Sequence, residues 1–226
     1  MGFGMTQKEN FKYYSKVFYL FVFAAAMGYF ESAVVVYLRE LIYPEGFAFP
    51  LKTIPKGLLT VEVAREVATI IMLLTVAALA AKKFWERFGY FIFLFGVWDL
   101  TFYIWLKATI NWPQSIFDWD ILFLIPSPWI GPVAAPVLIS ILMVAVGLSI
   151  TWLVYKGYRF RPAPITWFLA IAGTAAILYS FLHDTDAALK QKMPLPYFYW
   201  LFGLGLMFYL AGYFITYLKV KKRGTY

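Results

Sequence analysis

The chain has 226 residues, of which 62% are apolar, 22% are aromatic and only 14% are charged, and its mean hydropathy is +0.70. Soluble domains are about half apolar and about a quarter charged, so this composition excludes an ordinary soluble globule, and the high hydrophobicity also excludes a disordered chain. The net charge of +8 does not indicate a nucleic-acid partner, because basic residues collect on the cytoplasmic flanks of membrane-spanning segments. The sequence therefore predicts a single integral membrane domain over residues 1–226, with the lipid bilayer as its main partner.

Two residue types that support much of cofactor chemistry are scarce in this chain. Cysteine is absent, and His183 is the only histidine. The lack of cysteine excludes disulfides, thiol nucleophiles, iron–sulfur clusters and covalent haem attachment. A single histidine also excludes a self-contained di-haem cytochrome, because paired axial histidines would have to come from another chain.

Six apolar stretches are long enough to cross a bilayer as helices. A spanning helix needs about 20 largely apolar residues, and the alternation typical of a β-barrel strand is absent. The six stretches cover roughly residues 17–38, 60–81, 88–107, 133–155, 163–182 and 197–218. The sequence thus predicts an all-α fold, a polytopic transmembrane helical bundle of six spans.

Two connections on one side of this predicted bundle have unusual sequences. The first, roughly 43–58, contains three prolines and two glycines and is predicted to form an irregular cap. In the second, roughly 108–132, Ser115 and Asp118 have the spacing of a helix capping box ahead of about ten apolar-rich residues. That stretch is too short to span, so we predict a short interfacial or re-entrant helix between spans 3 and 4.

Basic residues are divided unequally between the two sides of the predicted bundle. The side with both termini carries 13 basic residues against two acidic ones, and the opposite side carries 6 basic residues. The 13 are Lys8, Lys12, Lys16, Lys82, Lys83, Arg87, Lys156, Arg159, Arg161, Lys219, Lys221, Lys222 and Arg223. By the positive-inside rule, this distribution predicts a multi-pass protein of the cell membrane with both termini in the cytoplasm.

Apart from Lys107 at the edge of the third span, only five charged residues fall inside the predicted spans, and all five are in the first three. They are Glu31, Glu62, Arg65, Glu66 and Asp99. A charge at the bilayer centre costs at least about 2.5–3.5 kcal/mol on insertion scales, so such residues normally face the bundle interior and either pair or carry function. Counting back from the outer ends of the spans puts Glu31, Glu66 and Asp99 at one level, roughly 9–14 Å deep.

The second span carries most of this charge on one face. Glu62, Arg65, Glu66 and Thr69 are spaced at i, i+3, i+4 and i+7, which aligns them in one stripe that is predicted to point inward. Arg65 is expected to bridge to Glu31 or Asp99. Arg39, at the outer end of span 1, is expected to reach toward Glu62. With four carboxylates against two arginines, some carboxylates must bind protons, a cation or further donors.

Three interpretations of this cluster remain open, and the sequence does not decide whether the protein is an enzyme. In the first, a proton- or cation-binding site formed by Glu31, Glu62, Glu66 and Asp99, with Arg39 and Arg65 as charge partners, serves linked transport or a membrane complex with other subunits. In the second, the protein is a membrane-embedded, metal-dependent hydrolase acting on a lipid-linked substrate, and Glu31, Glu66, Asp99 and His183 hold a divalent metal. In the third, the cluster only locks helices together, and the chain is a structural subunit with no chemistry of its own.

Overall fold

The protein is mostly helical. The computed structural model describes residues 7–224, of which 73% are in helices. In chain order the helices are α1 (Gln7–Ile42), α2 (Lys56–Ala80), α3 (Phe84–Ile110), α4 (Ala134–Tyr155), α5 (Pro164–Leu182), α6 (Thr185–Leu189) and α7 (Tyr199–Arg223). Within this described part, six helices are long and apolar enough to cross a membrane, with α5 and α6 taken together as one. The six predicted helical stretches are therefore confirmed.

The segment between α3 and α4 corrects one prediction. The expected short interfacial or re-entrant helix is absent from the described residues, which instead form an antiparallel hairpin of β1 (Trp119–Phe123) and β2 (Trp129–Pro132). The Asp118 carboxylate accepts the N–H groups of Gln114 and Ser115, which precede it, so it closes a turn and does not cap a helix. Aromatic and β-branched residues favour strands, and the prolines at 126 and 128 confine the chain reversal to a turn.

The first long connection, residues 43–55, is irregular as predicted, with neither helix nor strand. The backbone N–H of Lys52 donates to the Tyr43 hydroxyl at 2.8 Å, and Gln191 donates to Thr53. This segment therefore covers one end of the bundle together with the β1–β2 hairpin and the α5–α7 connection. We call this end the hairpin end, and we call the opposite end, where α1 begins and α7 finishes, the terminal end.

The helices pack in two groups. Helix α3 lies at the centre of the first group and contacts α1, α2 and α4, while α5 packs on α7 in the second group. The first group encloses a central apolar cluster built on Leu73, Tyr90 and Leu94, which are fully buried. Two smaller clusters connect the groups. The hairpin-end cluster comprises Ala135, Ile177, Phe181, Tyr197 and Phe202, and the terminal-end cluster comprises Ile150, Leu153, Val154, Phe160 and Val220.

Candidate functional site

The predicted polar stripe on α2 points into the bundle and meets α1. Glu62 and Glu66 are buried, with exposed fractions of 5% and 7%, and Arg65 is half-buried between them. Arg65 donates to Glu62 through Nε at 2.9 Å and Nη2 at 2.7 Å, and its Nη1 donates to Glu31 of α1. Thr69 completes the contact by donating to the second oxygen of Glu31 at 3.2 Å. Of the two partners expected for Arg65, Glu31 and Asp99, the structure therefore shows Glu31.

Glu66 turns away from this ion-paired group toward the hairpin. Both of its carboxylate oxygens accept the backbone N–H of Leu124, at 3.1 and 3.0 Å. Leu124 directly follows β1, and its backbone N–H lies outside the β1–β2 pairing. The buried carboxylate of Glu66 supplies the acceptor for this N–H. Over residues 7–224, Glu66 takes part in no ion pair, and the donor that it accepts is a neutral backbone amide.

Arg39 forms a second ion pair that the sequence did not predict. Its Nη2 donates to Asp120 of β1 at 3.0 Å, whereas the expected contact with Glu62 is not formed, because Glu62 is taken by Arg65. The guanidinium packs against the rings of Phe47 and Trp112, 4.2 and 3.8 Å from their centroids. Cation–π contacts of this kind stabilise an arginine that is removed from water. The Nη1 atom of Arg39 is buried and has no partner among the described residues.

Asp120 is the acceptor at the centre of this second group. It is 3% exposed and also accepts the Tyr103 hydroxyl of α3 at 3.2 Å. Burial raises the pKa of the Asp120 carboxyl, and the positive charge of Arg39 opposes this rise. Since α1, α3 and β1 each contribute one of the three side chains, Asp120 ties the hairpin to the helical bundle.

Asp99 lies on α3, one turn from Tyr103, and faces α4. The Ser140 hydroxyl donates to Asp99 Oδ2 at 2.8 Å, and within the described chain Asp99 has no cationic partner. Helix α1 crosses α3 at this level, because a Cβ on Gly28 would lie 2.8 Å from the carbonyl oxygen of Trp98. Only glycine permits this close approach of the two helices. It brings the part of α1 near Glu31 close to the part of α3 near Asp99.

The predicted metal ligands are not assembled. His183 Nδ1 lies 3.0 Å from the Ser180 carbonyl oxygen, and its ring stacks on Phe198 with centroids 4.2 Å apart. No carboxylate of the described chain contacts this imidazole, and its Nε2 is buried without a partner. Residues 7–224 contain no group of three histidine or acidic side chains arranged to hold a metal ion.

The structure adds residues to the site that sequence reasoning missed. Asp120, Tyr103, Ser140 and the Leu124 amide all contact predicted site residues. Asp120 lies in the connection of residues 108–132, where its apolar neighbours Trp119 and Ile121 could have indicated burial. We use the name acidic cluster for the five carboxylates of Glu31, Glu62, Glu66, Asp99 and Asp120 together with the two guanidinium groups of Arg39 and Arg65. These side chains form separate contacts, with Arg65 to Glu31 and Glu62, Arg39 to Asp120, Glu66 to the Leu124 amide and Asp99 to Ser140.

The arrangement can hold charge and protons in an apolar setting. Three carboxylates share two arginines, and the other two, Glu66 and Asp99, receive hydrogen bonds from neutral donors only. An ionised carboxylate without a compensating charge is costly in a low-dielectric surrounding, and proton uptake removes that cost.

Comparison of the chain with protein-family models, with curated proteins and with solved structures finds no match.

Proposed function

We propose that the protein spans the cell membrane six times with both termini in the cytoplasm, so that the hairpin end faces outward. The six long apolar helices support the span number. The excess of 13 basic residues over 6 on the two sides supports the orientation. In this placement the acidic cluster lies in the outer half of the bundle, beneath the hairpin and the 43–55 segment.

We further propose that this cluster binds protons and that the chain is a proton-linked transport protein or a proton-handling subunit of a membrane complex. The single observation that carries this proposal is the charge of the cluster, five carboxylates against two arginines. Glu66 and Asp99 are the groups that take up protons, because neither forms an ion pair with a cationic partner over residues 7–224. Intramembrane acids that lack such partners commonly mark proton or ion pathways.

A proton fits this site better than a metal cation does. A divalent ion such as Ca²⁺ or Mg²⁺ needs about six oxygen ligands around one point. The five carboxylates are instead divided between Arg65, Arg39, the Leu124 amide and the Ser140 hydroxyl. A proton needs only one carboxylate oxygen, and the existing hydrogen bonds can remain in place when it binds.

A proton-flux measurement in vesicles tests the proposal. Purified protein reconstituted into liposomes should speed proton entry, reported by an internal pH dye, when a potassium diffusion potential drives it. Glu66→Gln and Asp99→Asn should abolish this flux while the protein remains folded, because an amide keeps the shape and accepts hydrogen bonds but cannot exchange the proton. Glu45→Gln, which changes an exposed acid at the same end, should retain the flux. Full flux in both site variants would contradict the proposal.

Infrared spectroscopy provides an independent test of the protonated groups. The wild-type protein should show the C=O stretch of a protonated carboxylic acid that is protected from solvent. Glu66→Gln or Asp99→Asn should remove intensity from that band, and Glu45→Gln should leave it unchanged. A wild-type spectrum with carboxylate bands alone would contradict proton binding.

A structural lock is the second candidate, and one observation favours it. Glu31, Glu66, Asp99 and Asp120 each accept a hydrogen bond from a different element of the fold. The contacts join α1 to α2, α2 to the hairpin, α3 to α4, and α1 to β1. Under this candidate the cluster stabilises the bundle and does no proton chemistry, so wild-type vesicles should conduct protons no faster than protein-free vesicles.

A further inference from the structure

A long apolar cleft lies between the two helix groups and reaches the terminal end of the bundle. It has a volume of about 330 Å³ and lies between α3 and α4 on one side and α5 and α7 on the other. The hairpin-end and terminal-end clusters join the two groups, and Ile150 and Phe160 of the terminal-end cluster also line the cleft. The cleft is lined mainly by apolar and aromatic side chains.

The few hydroxyl groups in the cleft lining are already engaged within the protein. Thr166 and Thr216 bond each other at 2.8 Å, Tyr209 bonds Thr174 at 2.7 Å, and Tyr213 bonds Ser149. The lining therefore offers little hydrogen bonding to an occupant. Such a surface suits a hydrocarbon chain and disfavours a polar ligand.

A basic recess adjoins the cleft at the terminal end. This second cavity, about 480 Å³ in volume, is lined by Lys83, Arg159 and Arg161 together with Phe84, Trp85 and Phe160. The three aromatic residues also line the apolar cleft, so the two spaces share a wall. Lys83 precedes α3, and the two arginines belong to the α4–α5 connection, which places all three basic groups beyond the apolar length of the helices.

The dimensions of the cleft match one lipid leaflet. Its wall on α4 runs from Ile139 to Ile150, which is about 16 Å along a helix. Half of a hydrocarbon core of about 30 Å is about 15 Å. The volume of the cleft is near the lower end of the range of ligand pockets, about 300–1,000 Å³, so the space suits one chain and not two.

From these observations we propose that the cleft and the recess form one binding site for an anionic phospholipid of the cytoplasmic leaflet. One acyl chain occupies the apolar cleft, and the headgroup phosphate lies against the basic groups of the recess. Charge complementarity selects the anionic headgroup, because basic pockets at the cytoplasmic ends of membrane helices bind such lipids. The inference rests on the proposed membrane orientation and is independent of proton binding by the acidic cluster.

Lipid retention by the intact protein tests this proposal. Purified protein is mixed in detergent with equal amounts of dioleoyl phosphatidylglycerol and dioleoyl phosphatidylcholine, and retained lipid is counted by native mass spectrometry. We expect one phosphatidylglycerol molecule to be retained with a preference of at least about tenfold over phosphatidylcholine. Equal retention of the two lipids would overturn the proposal, and this comparison needs no variant.

Two pairs of variants then separate the headgroup from the chain. Lys83→Gln with Arg161→Gln should weaken phosphatidylglycerol retention by about 30-fold, whereas Lys82→Gln with Lys222→Gln, which lie outside the recess, should leave it unchanged. Ala170→Phe fills the cleft and should reduce retention, while Ala175→Phe, on an exposed position of the same helix, should not. Equal effects within either pair would overturn the proposed site. Proton flux is measured in separate vesicles, so failure of one proposal is distinguishable from failure of the other.

Discussion

The two helix groups of this protein are held together by different forces. The first group, in which α3 contacts α1, α2 and α4, contains every charged residue inside the six apolar stretches. Its Glu31–Arg65 ion pair joins α1 to α2, and the Arg39–Asp120 ion pair joins α1 to the hairpin. In the α5–α7 pair, α5 has no charged residue, and the charges of α7 are confined to residues 219–223. There the backbones approach closely, since a Cβ on Gly205 would lie 2.9 Å from the Gly173 carbonyl oxygen.

This difference separates a helix contact made by close packing from one made by charged side chains. Small residues give close packing between membrane helices without any polar group in the bundle. The α5–α7 pair therefore shows that the chain can join helices without charge. Burying the carboxylates of the first group has a desolvation cost that close packing of small residues avoids. This cost supports our proposal that these carboxylates have a function beyond helix contact.

The largest expected effect comes from breaking the ion pairs of the first group. Arg65→Ala leaves Glu31 and Glu62 without their cation and should lower the free energy of unfolding by about 3–5 kcal/mol. The measurement is chemical unfolding in detergent micelles. Glu31→Gln combined with Arg65→Ala should cost less than the sum of the single changes, because the second change removes one of the unpaired charges. Additive effects would show that the two side chains do not interact energetically.

A smaller effect is expected from disturbing the close packing of the second group. Gly205→Val places side-chain atoms against Ile177 and the Gly173 backbone and should destabilise the protein by about 1–3 kcal/mol. Gly203→Val is the matched control on the same helix, because a Cβ there meets no atom within 4 Å. Thermal unfolding of the two variants should therefore separate them clearly. A similar loss in both would mean that helix propensity, and not packing, explains the change.

The smallest predicted effect concerns the pH dependence of stability at the hairpin. Because burial raises the pKa of Asp120 above its unfolded value of about 3.9, the native state holds this proton more tightly than the unfolded state. Asp120 therefore stabilises the native state fully below about pH 3.9, its pKa in the unfolded chain. This stabilisation is lost as the pH rises through the pKa of Asp120 in the folded protein. Unfolding measured across this range should show a weaker decline for Asp120→Asn than for the wild type. Glu45→Gln should keep the wild-type slope, and parallel curves for all three proteins would contradict the prediction.

The inward stripe on α2 was predictable, and the partners of its residues were only partly so. A spacing of i, i+3, i+4 and i+7 defines a helix face from local geometry alone, and Glu62, Glu66 and Thr69 are buried as expected. Arg65 was expected to bridge to Glu31 or Asp99, and the structure shows the bridge to Glu31. The partner of Arg39 was not predictable, because Asp120 is 81 residues away and lies in a segment whose conformation was predicted wrongly.

The β1–β2 hairpin is the part of the site that sequence patterning could not supply. A short apolar stretch flanked by prolines is compatible with a brief helix or with a strand, and only contacts distinguish them. Here β1 and β2 satisfy each other's backbone groups, and Glu66 accepts the remaining Leu124 amide. The hairpin thus contacts α2 through the hydrogen bond from Leu124 to Glu66, and the same bond supplies the polar contact of the Glu66 carboxylate.

Local chemistry and long-range packing therefore determined different parts of this protein. The sequence by itself determined the six apolar helices, the inward stripe of charge and the asymmetry of basic residues, because length, periodicity and charge act over neighbouring residues. Only the tertiary structure decided that Asp120 joins the cluster, that His183 stays apart from it, and that an apolar cleft meets a basic recess. These features depend on which distant segments share a surface, and no local pattern specifies that.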